Sequence, residues 1–294
     1  MGIFSNFFKL LGIFIISFLM LNNATIYAKE TNSKKTLNNN DDNDKNDALA
    51  LNYHRVRDNS WIENILFNIS NSKEVYYYSV TKDEFEKEMK WLKKHKARFL
   101  TEKEFQKYKS KGNFPKRSVW INFDDMDISV YKNAHPILKK YNIPATGFII
   151  TNHVGDKDFN NLNMISKKQL KEMKRSNIWT FSSHTDDTHA ITKDNTSMMK
   201  KKSDRQLKKD IKKSNTYIKK HFNKENNSIA YPYGEGDKRI INVLKSEGIE
   251  YAYKLEDKAI SHKDDNYNIP RILTNKDSFN KLIKKWDGFK YDTN

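Results

Sequence analysis

An α/β fold with a parallel sheet closing into a distorted (β/α) barrel is what this sequence predicts, and three observations predict it. From Ala48 onward, short apolar runs alternate with amphipathic stretches, seven or eight times over. The 294 residues, 37% of them hydrophobic and 13% aromatic, suffice for one large domain with a substantial core. Cysteine is absent, so no disulfide framework supports the chain and that core must stand alone.

Residues 1–28 stand outside the pattern. Leu10 to Leu21 is an uninterrupted apolar run behind Lys9, shorter than the roughly 20 residues a spanning helix needs. It matches a signal-peptide core, and Ala28 offers a small residue for cleavage before Lys29. Ile3, Phe4, Phe7 and Phe8 lengthen the apolar stretch, which keeps an uncleaved anchor as the alternative. Residues 29–47 are polar, Asn/Asp-rich and aperiodic, the composition of a disordered linker. Residues 48–294 are expected to form the folded domain, and the chain is expected to be exported.

Within that domain, strands are expected at 48–53, 75–80, 119–123, 145–151, 179–182, 228–231, 251–255 and 271–273. Helices are expected at 82–95, 102–110, 130–141, 167–176, 203–222, 237–247 and 277–286. Val130, Ala134, Ile137, Leu138 and Tyr141 show the reasoning, since they recur at the spacing of one helix face. Lys139 and Lys140 suit its C-terminus, and Asn142 follows it.

The net charge is +17, and Lys9 is the only charged side chain of residues 1–28, which leaves +16 for the remainder. In a cytosolic protein such a balance points to nucleic acid. An exported one meets cell-wall polymers and anionic lipid headgroups instead, so an anionic cell envelope is the expected partner. The alternative is a lysine-rich solvated surface.

Reactive groups of β/α folds sit where strands end and loops lead into helices. The first expected strand ends in His54, and the 119–123 strand in Asp124-Asp125. The 179–182 strand ends in His184-Thr185-Asp186-Asp187-Thr188-His189, and the 228–231 strand in Pro232-Tyr233-Gly234. Two adjacent carboxylates repel unless they are helix caps or divide a task, one holding a metal and the other moving a proton. Without thiolates, metal ligands must be His, Asp or Glu, and two imidazoles with one carboxylate make a set with open positions. His184 and His189 are five apart, wrong for one helix face but suited to a loop that folds back.

In this order, NFDD, SHTDDTH and AYPYG resemble the first three motifs of carbohydrate esterase family 4, the NodB-like polysaccharide deacetylases. The resemblance runs from about Ala48 to Asp287. ALALNYHRVRD, KRSVWINFDDMD, IPATGFIITNH and LTNKDSFNKLIKKWDGF resemble the branch that deacetylates poly-β-1,6-N-acetylglucosamine in biofilms. It implies a NodB-type barrel and a hydrolase using one divalent metal ion (zinc, cobalt, nickel or iron) on that polymer, which becomes partly cationic and cell-retained. It also implies that Asp124 is the general base, and that Asp125, His184 and His189 bind the metal. His54 is the general acid in that branch, and the backbone N–H of Tyr233 helps form the oxyanion site.

The sequence departs from the wider family in three places. The H-[ST]-x-x-H spacing is one residue longer here. Where an Arg precedes the Pro-Tyr pair, this chain has Ser228-Ile229-Ala230, so another group must orient Asp124. Arg271 is the candidate, and a surface salt bridge is its other reading. Asp186 and Asp187 are expected as solvated loop carboxylates, with tuning of the metal ligands as the alternative. His135 and His153 read as structural or exposed. Trp61, Trp120 and Trp179 read as core, Tyr233 as a possible sugar-stacking ring, and Val75-Tyr76-Tyr77-Tyr78 as strand. Rival functions are deacetylation of peptidoglycan or chitin-like oligomers, and non-catalytic binding by a basic surface protein. A monomer that binds no nucleic acid is expected.

Overall fold

The computed structural model describes Leu37 and residues 46–58, 77–234 and 236–290. The expected export segment, most of the expected linker, Trp61 and the first two residues of the expected 75–80 strand lie outside the described residues. Within the linker stretch, Leu37 is buried in the main hydrophobic cluster. Asn46 is bonded to Asn113 and Phe114.

The chain enters through β1 (Ala48–Tyr53), all of whose residues are buried. Past His54, β2 (Arg55–Arg57) pairs with β3 (Ser79–Thr81) in a separate parallel ribbon. The expected strand therefore starts at Ser79, and Tyr77 before it is exposed. Thr81 and Glu84 form a capping box on α1 (Lys82–Lys94). β4 (Arg98–Phe99) is an edge pair too short to stand out by periodicity, and α2 (Glu102–Ser110) starts on a Thr101/Glu104 box.

β5 (Ser118–Phe123) leads to a π-helical turn, Val130–Ala134, and then α3 (His135–Tyr141). The single helix expected at 130–141 is divided for a local reason. Pro136 has no N–H to donate, and the His135 N–H reaches five residues back to the Val130 carbonyl. β6 (Ala145–Ile149), α4 (Lys167–Arg175), β7 (Trp179–Ser183), α5 (Met198–Lys201) and α6 (Asp204–Phe222) follow. The remainder is β8 (Ser228–Ala230), α7 (Lys238–Ser246), β9 (Tyr251–Leu255), β10 (Ile269–Leu273) and α8 (Lys276–Lys281).

Seven parallel strands run β1-β10-β9-β8-β7-β6-β5 and close because β1 also pairs with β5; β4 adds to the edge of β5. Closure is uneven. β1 and β5 share six registered pairs from Ala48↔Ser118 to Tyr53↔Phe123, whereas β7 and β8 share only Ser183↔Ile229. The result is the distorted barrel that the strand–helix alternation predicts.

Strand alternation sorts the side chains. Leu49, Leu51, Tyr53, Val119, Ile121 and Phe123 join the cluster that packs against the helices. Ala48, Ala50, Trp120, Phe148, Ala230 and Tyr253 belong to a second cluster inside the barrel, with Phe105 of α2 stacked on Trp120 at 4.8 Å. Glu102, at the start of the same helix, is also buried and bonded to Ser182, Ser228 and Lys224. Burial would raise its carboxyl, but Lys224 and these hydroxyls bring it below the usual range. Trp120 and Trp179 are core residues, 0% and 1% exposed.

On the helical side, Tyr53 packs edge-on to Phe85 and donates its hydroxyl proton to Glu88 Oε2 at 2.8 Å. Burial pushes the Glu88 carboxyl up to about 8. A carboxyl raised in the fold contributes stability below its unfolded value, and this is lost as pH rises through the folded one. Chemical denaturation from pH 5 to pH 8.5 should therefore show native stability falling. Glu88→Gln, which keeps an acceptor for Tyr53, should flatten that fall and be the more stable form at pH 8.5.

Candidate active site

Asp124 and Asp125 follow β5 directly, and the backbone turns so that their carboxylates diverge. Asp125 and Met126 are both left-handed (φ +62° and +67°), and the Met126 N–H closes back on the Asp124 carbonyl at 2.6 Å. Asp tolerates this region; Met does so at a cost. What retains Met126 is packing, since it is 1% exposed and its sulfur occupies the space a Cβ on Gly147 would need, 2.6 Å away. Gly147 on β6 thus makes room for the turn that separates the two aspartates.

Asp124 points into the barrel. Arg271 of β10 donates Nη1 to Oδ1 at 2.7 Å and Nη2 to Oδ2 at 2.8 Å, a bidentate pair with the Arg fully buried. Nη1 also donates to Asn122 Oδ1 at 2.9 Å, which accepts from Asn52 Nδ2 as well. Burial would raise the Asp124 carboxyl; the Arg271 charge and its hydrogen bonds hold it below the ordinary range instead. Arg271 is therefore an interior partner of Asp124, and the surface salt-bridge reading does not apply.

His54 lies across from this pair, Nε2 to Asp124 Oδ2 4.0 Å, with its ring edge-on to Tyr78. Burial lowers its pKa to about 4 against the opposing pull of Asp124 and Asp125, so the free site holds a neutral imidazole at neutral pH.

Asp125 meets the two histidines. Its Oδ1 lies 3.0 Å from His189 Nε2 and 3.4 Å from His184 Nε2, and the three potential ligand atoms are within 4.8 Å of one another. His184 Nδ1 lies 2.9 Å from the Ala230 carbonyl and must donate to it. In the neutral ring this leaves the Nε2 lone pair facing the carboxylate. Asp125 Oδ1 is buried and accepts no hydrogen bond. The His184 Nε2 lone pair, His189 Nε2 and an Asp125 oxygen converging on one point form the arrangement a cation satisfies, and the outward His184 Nδ1–H to a carbonyl is what orients a metal-binding imidazole. These three residues fit a divalent ion. With no ion bound, burial opposes charge on Asp125, and His189 and His184, when protonated, bring its carboxyl well below the usual range.

The loop carrying both histidines is held from behind by Asp210 of α6. Its Oδ1 accepts the Asp186 N–H at 2.9 Å and its Oδ2 the Asp187 N–H at 2.8 Å. Thr185 turns left-handed at φ +76°. Asp186 is 7% exposed, accepts from Thr151 Oγ1 at 2.8 Å and faces Lys213 at 3.3 Å, so it is not the solvated carboxylate expected. It joins the loop to the turn after β6. Asp187 is exposed as expected and pairs with His153 Nε2. His135 accepts from Trp179 Nε1, a structural bond. No motif marked Asp210; a carboxylate at a buried position of an otherwise lysine-rich helix was the available signal.

Tyr233, at φ +54° in the turn after β8, places its half-exposed ring 4.7 Å from that of His189. Asp124, Asp125, His54, His184, His189, Arg271 and Tyr233 thus meet at one end of the barrel.

Residues 111–252 match the family model for polysaccharide deacetylase. The poly-β-1,6-N-acetyl-D-glucosamine N-deacetylase of Staphylococcus aureus strain MSSA476 is 54% identical over 245 residues, 83% of this chain and 84% of that one. The Staphylococcus epidermidis strain RP62A enzyme of the same name is 50% identical over 288 residues, 96% and 98% of the two chains. Among solved structures, IcaB from Ammonifex degensii superposes with a TM-score of 0.69 at 27% identity, covering 81% of this chain and 96% of that one. The Streptococcus pyogenes deacetylase PplD, in complex with acetate, gives 0.66 at 26% identity over 78% and 92%.

Replacing Asp210 with Asn puts an amide NH2 against one of the two N–H donors and should loosen the histidine loop. Titration with zinc against a competing chelator should show affinity lower by about 10- to 100-fold. The circular dichroism spectrum should be unchanged.

Proposed function

The chain belongs to the polysaccharide deacetylase family, and from that premise we propose that it removes N-acetyl groups from poly-β-1,6-N-acetylglucosamine at the Asp124–His54 pair beside a metal held by Asp125, His184 and His189. The observation that carries this reading is the division between the aspartates. Asp124 is kept ionised by a fully buried Arg271, and Asp125 is aimed at two imidazoles. The names of the staphylococcal relatives support the substrate.

The bound ion, which the His2Asp set would accept as zinc, cobalt, nickel or iron, supplies Lewis acidity toward the acetyl carbonyl and its attacking water. The remaining steps belong to the protein. Asp124, locked in orientation by two Arg271 nitrogens, removes the water proton as oxygen attacks the acetyl carbon. The backbone N–H of Tyr233, in the turn after β8, serves the developing oxyanion. The C–N bond breaks as His54 protonates the departing glucosamine nitrogen. A route from water through Asp124 and His54 to nitrogen balances, and it starts from the carboxylate and neutral imidazole of the free site. Acetate and a free amine are the products.

The +16 mature chain is drawn neither to a neutral substrate nor to its cationic product. Cleavage after Ala28 and retention at the anionic cell envelope complete the proposal, with the protein acting as a monomer.

Acetate release from a β-1,6-linked N-acetylglucosamine oligomer tests the chemistry. Release should require metal, stop with chelator and fall by about 100-fold or more in Asp124→Asn. Release only from chitin or peptidoglycan fragments would replace the substrate, and none from any of the three would favour a binding protein. Cell fractionation tests the location: the soluble share should rise with salt, and a distribution that ignores ionic strength would overturn electrostatic retention.

A further inference from the structure

Arg271 grips Asp124 with one edge of its guanidinium and leaves another unsatisfied. Nη1 and Nη2 donate to the two carboxylate oxygens, whereas Nε is buried and has no hydrogen-bond partner. A planar guanidinium fits a carboxylate equally through Nη1/Nη2 or through Nε/Nη2, and the second pairing would have used the orphaned donor. Phe148 lies against the guanidinium, 5.1 Å from Cζ to ring centroid, and a ring face is indifferent to rotation in the guanidinium plane. The choice of edge therefore lies with the other hydrogen of Nη1, which is donated to Asn122 Oδ1 at 2.9 Å. Asn122 is fully buried on β5 and alternates with Ile121 and Phe123, which places it on the Trp120 side of the strand, inside the barrel. Nη1 only donates, so Asn122 must turn its oxygen toward it. Asn52, its registered partner on β1, donates Nδ2 to the same oxygen at 2.9 Å, and its own Oδ1 stays buried and unpaired. The remaining amide group, Asn122 Nδ2, reaches only the Trp120 carbonyl at 3.4 Å.

On the reading of Asp124 as the base, we propose that Asn122 is a positioning residue of the reaction. With Asn52 behind it, it selects the guanidinium edge that holds Asp124, and so the direction of the carboxylate oxygen that takes the water proton. Pairing through Nε and Nη2 would require the guanidinium or the carboxylate to turn, and a group misplaced by about 1 Å costs on the order of 100-fold in rate. Packing alone gives no reason for two amides in this seam. Leucine has a similar size and would leave no unpaired oxygen at position 52. The side-chain hydrogen bonds of Asn122 go to Arg271, Asn52 and Trp120 and to no metal ligand, so its effect reaches the reaction through Arg271. The asparagine pair thus supports the base, as Asp210 supports the loop of the metal-binding histidines.

The test uses Asn122→Leu, Asn52→Leu and the double variant in the metal-loaded full-length protein. Replacing both amides by apolar groups of similar size keeps the seam filled, so the double variant serves where a single one does not fold. On a β-1,6-linked N-acetylglucosamine oligomer, kcat should fall by about 10- to 100-fold in Asn122→Leu, with KM within about twofold of wild type. Asn52→Leu should lose less, and the double variant no more than Asn122→Leu, because Asn52 acts through Asn122. Zinc affinity against a chelator should match wild type in all three; a loss there would move the effect to the metal site and overturn the proposal. A second readout is independent of turnover. The Arg271 Nε–H proton resonance, assigned by its absence in Arg271→Lys, should move downfield in Asn122→Leu as Nε acquires the carboxylate. An unmoved resonance, additive losses, or a wild-type kcat in Asn122→Leu would overturn the positioning role and leave the reaction standing. Wild-type protein that releases no acetate would instead remove the reading of Asp124 as the base, while the resonance still reports which edge Asn122 selects.

Discussion

Arg271 and Asp124 form an ion pair that water scarcely reaches, their side chains 0% and 3% exposed. Removing two charges from water costs several kcal/mol each, which only close, fully bonded geometry offsets. Here the geometry depends on barrel closure. Arg271 is on β10 and Asp124 at the end of β5, and the strand between them is β1, which pairs with both. β1 also contributes Asn52, whose amide ties Asn122 to the same guanidinium. A barrel failing to close at β1 would leave a buried arginine without a counter-charge, so fold and catalytic base are specified by the same contact.

The adjacent aspartates illustrate how local backbone divides chemistry. Two carboxylates at one strand end would repel if they shared a direction. Consecutive left-handed residues send Asp124 toward an arginine and Asp125 toward two histidines, so each negative charge has its own compensation. The strain at Met126 is held by burial against the bare backbone of Gly147, which places part of the site's cost in the wall of the barrel.

Supports behind the site follow the same logic. Asp210 takes two backbone N–H groups of a loop that is neither helix nor strand, and so replaces the hydrogen bonds that regular structure would supply. α6 thereby serves two faces: a buried carboxylate shapes the histidine loop, and exposed lysines on the same helix face solvent.

By itself the sequence determined the class of fold and most of its elements, because periodicity and capping residues are local properties. It also determined which residues gather at the strand ends, since a parallel barrel brings those ends together whatever the loops do. Short-range signals left out β4, two residues long, and the π-turn at Val130–Ala134 that Pro136 brings about. Only the tertiary structure decided between a surface and an interior Arg271, because burial depends on which strands close the ring, 147 positions from Asp124 in the chain. The same holds for Asp186, which is buried although its sequence neighbours are polar. Its partners Thr151 and Lys213 come from other elements, and no window along the chain contains all three.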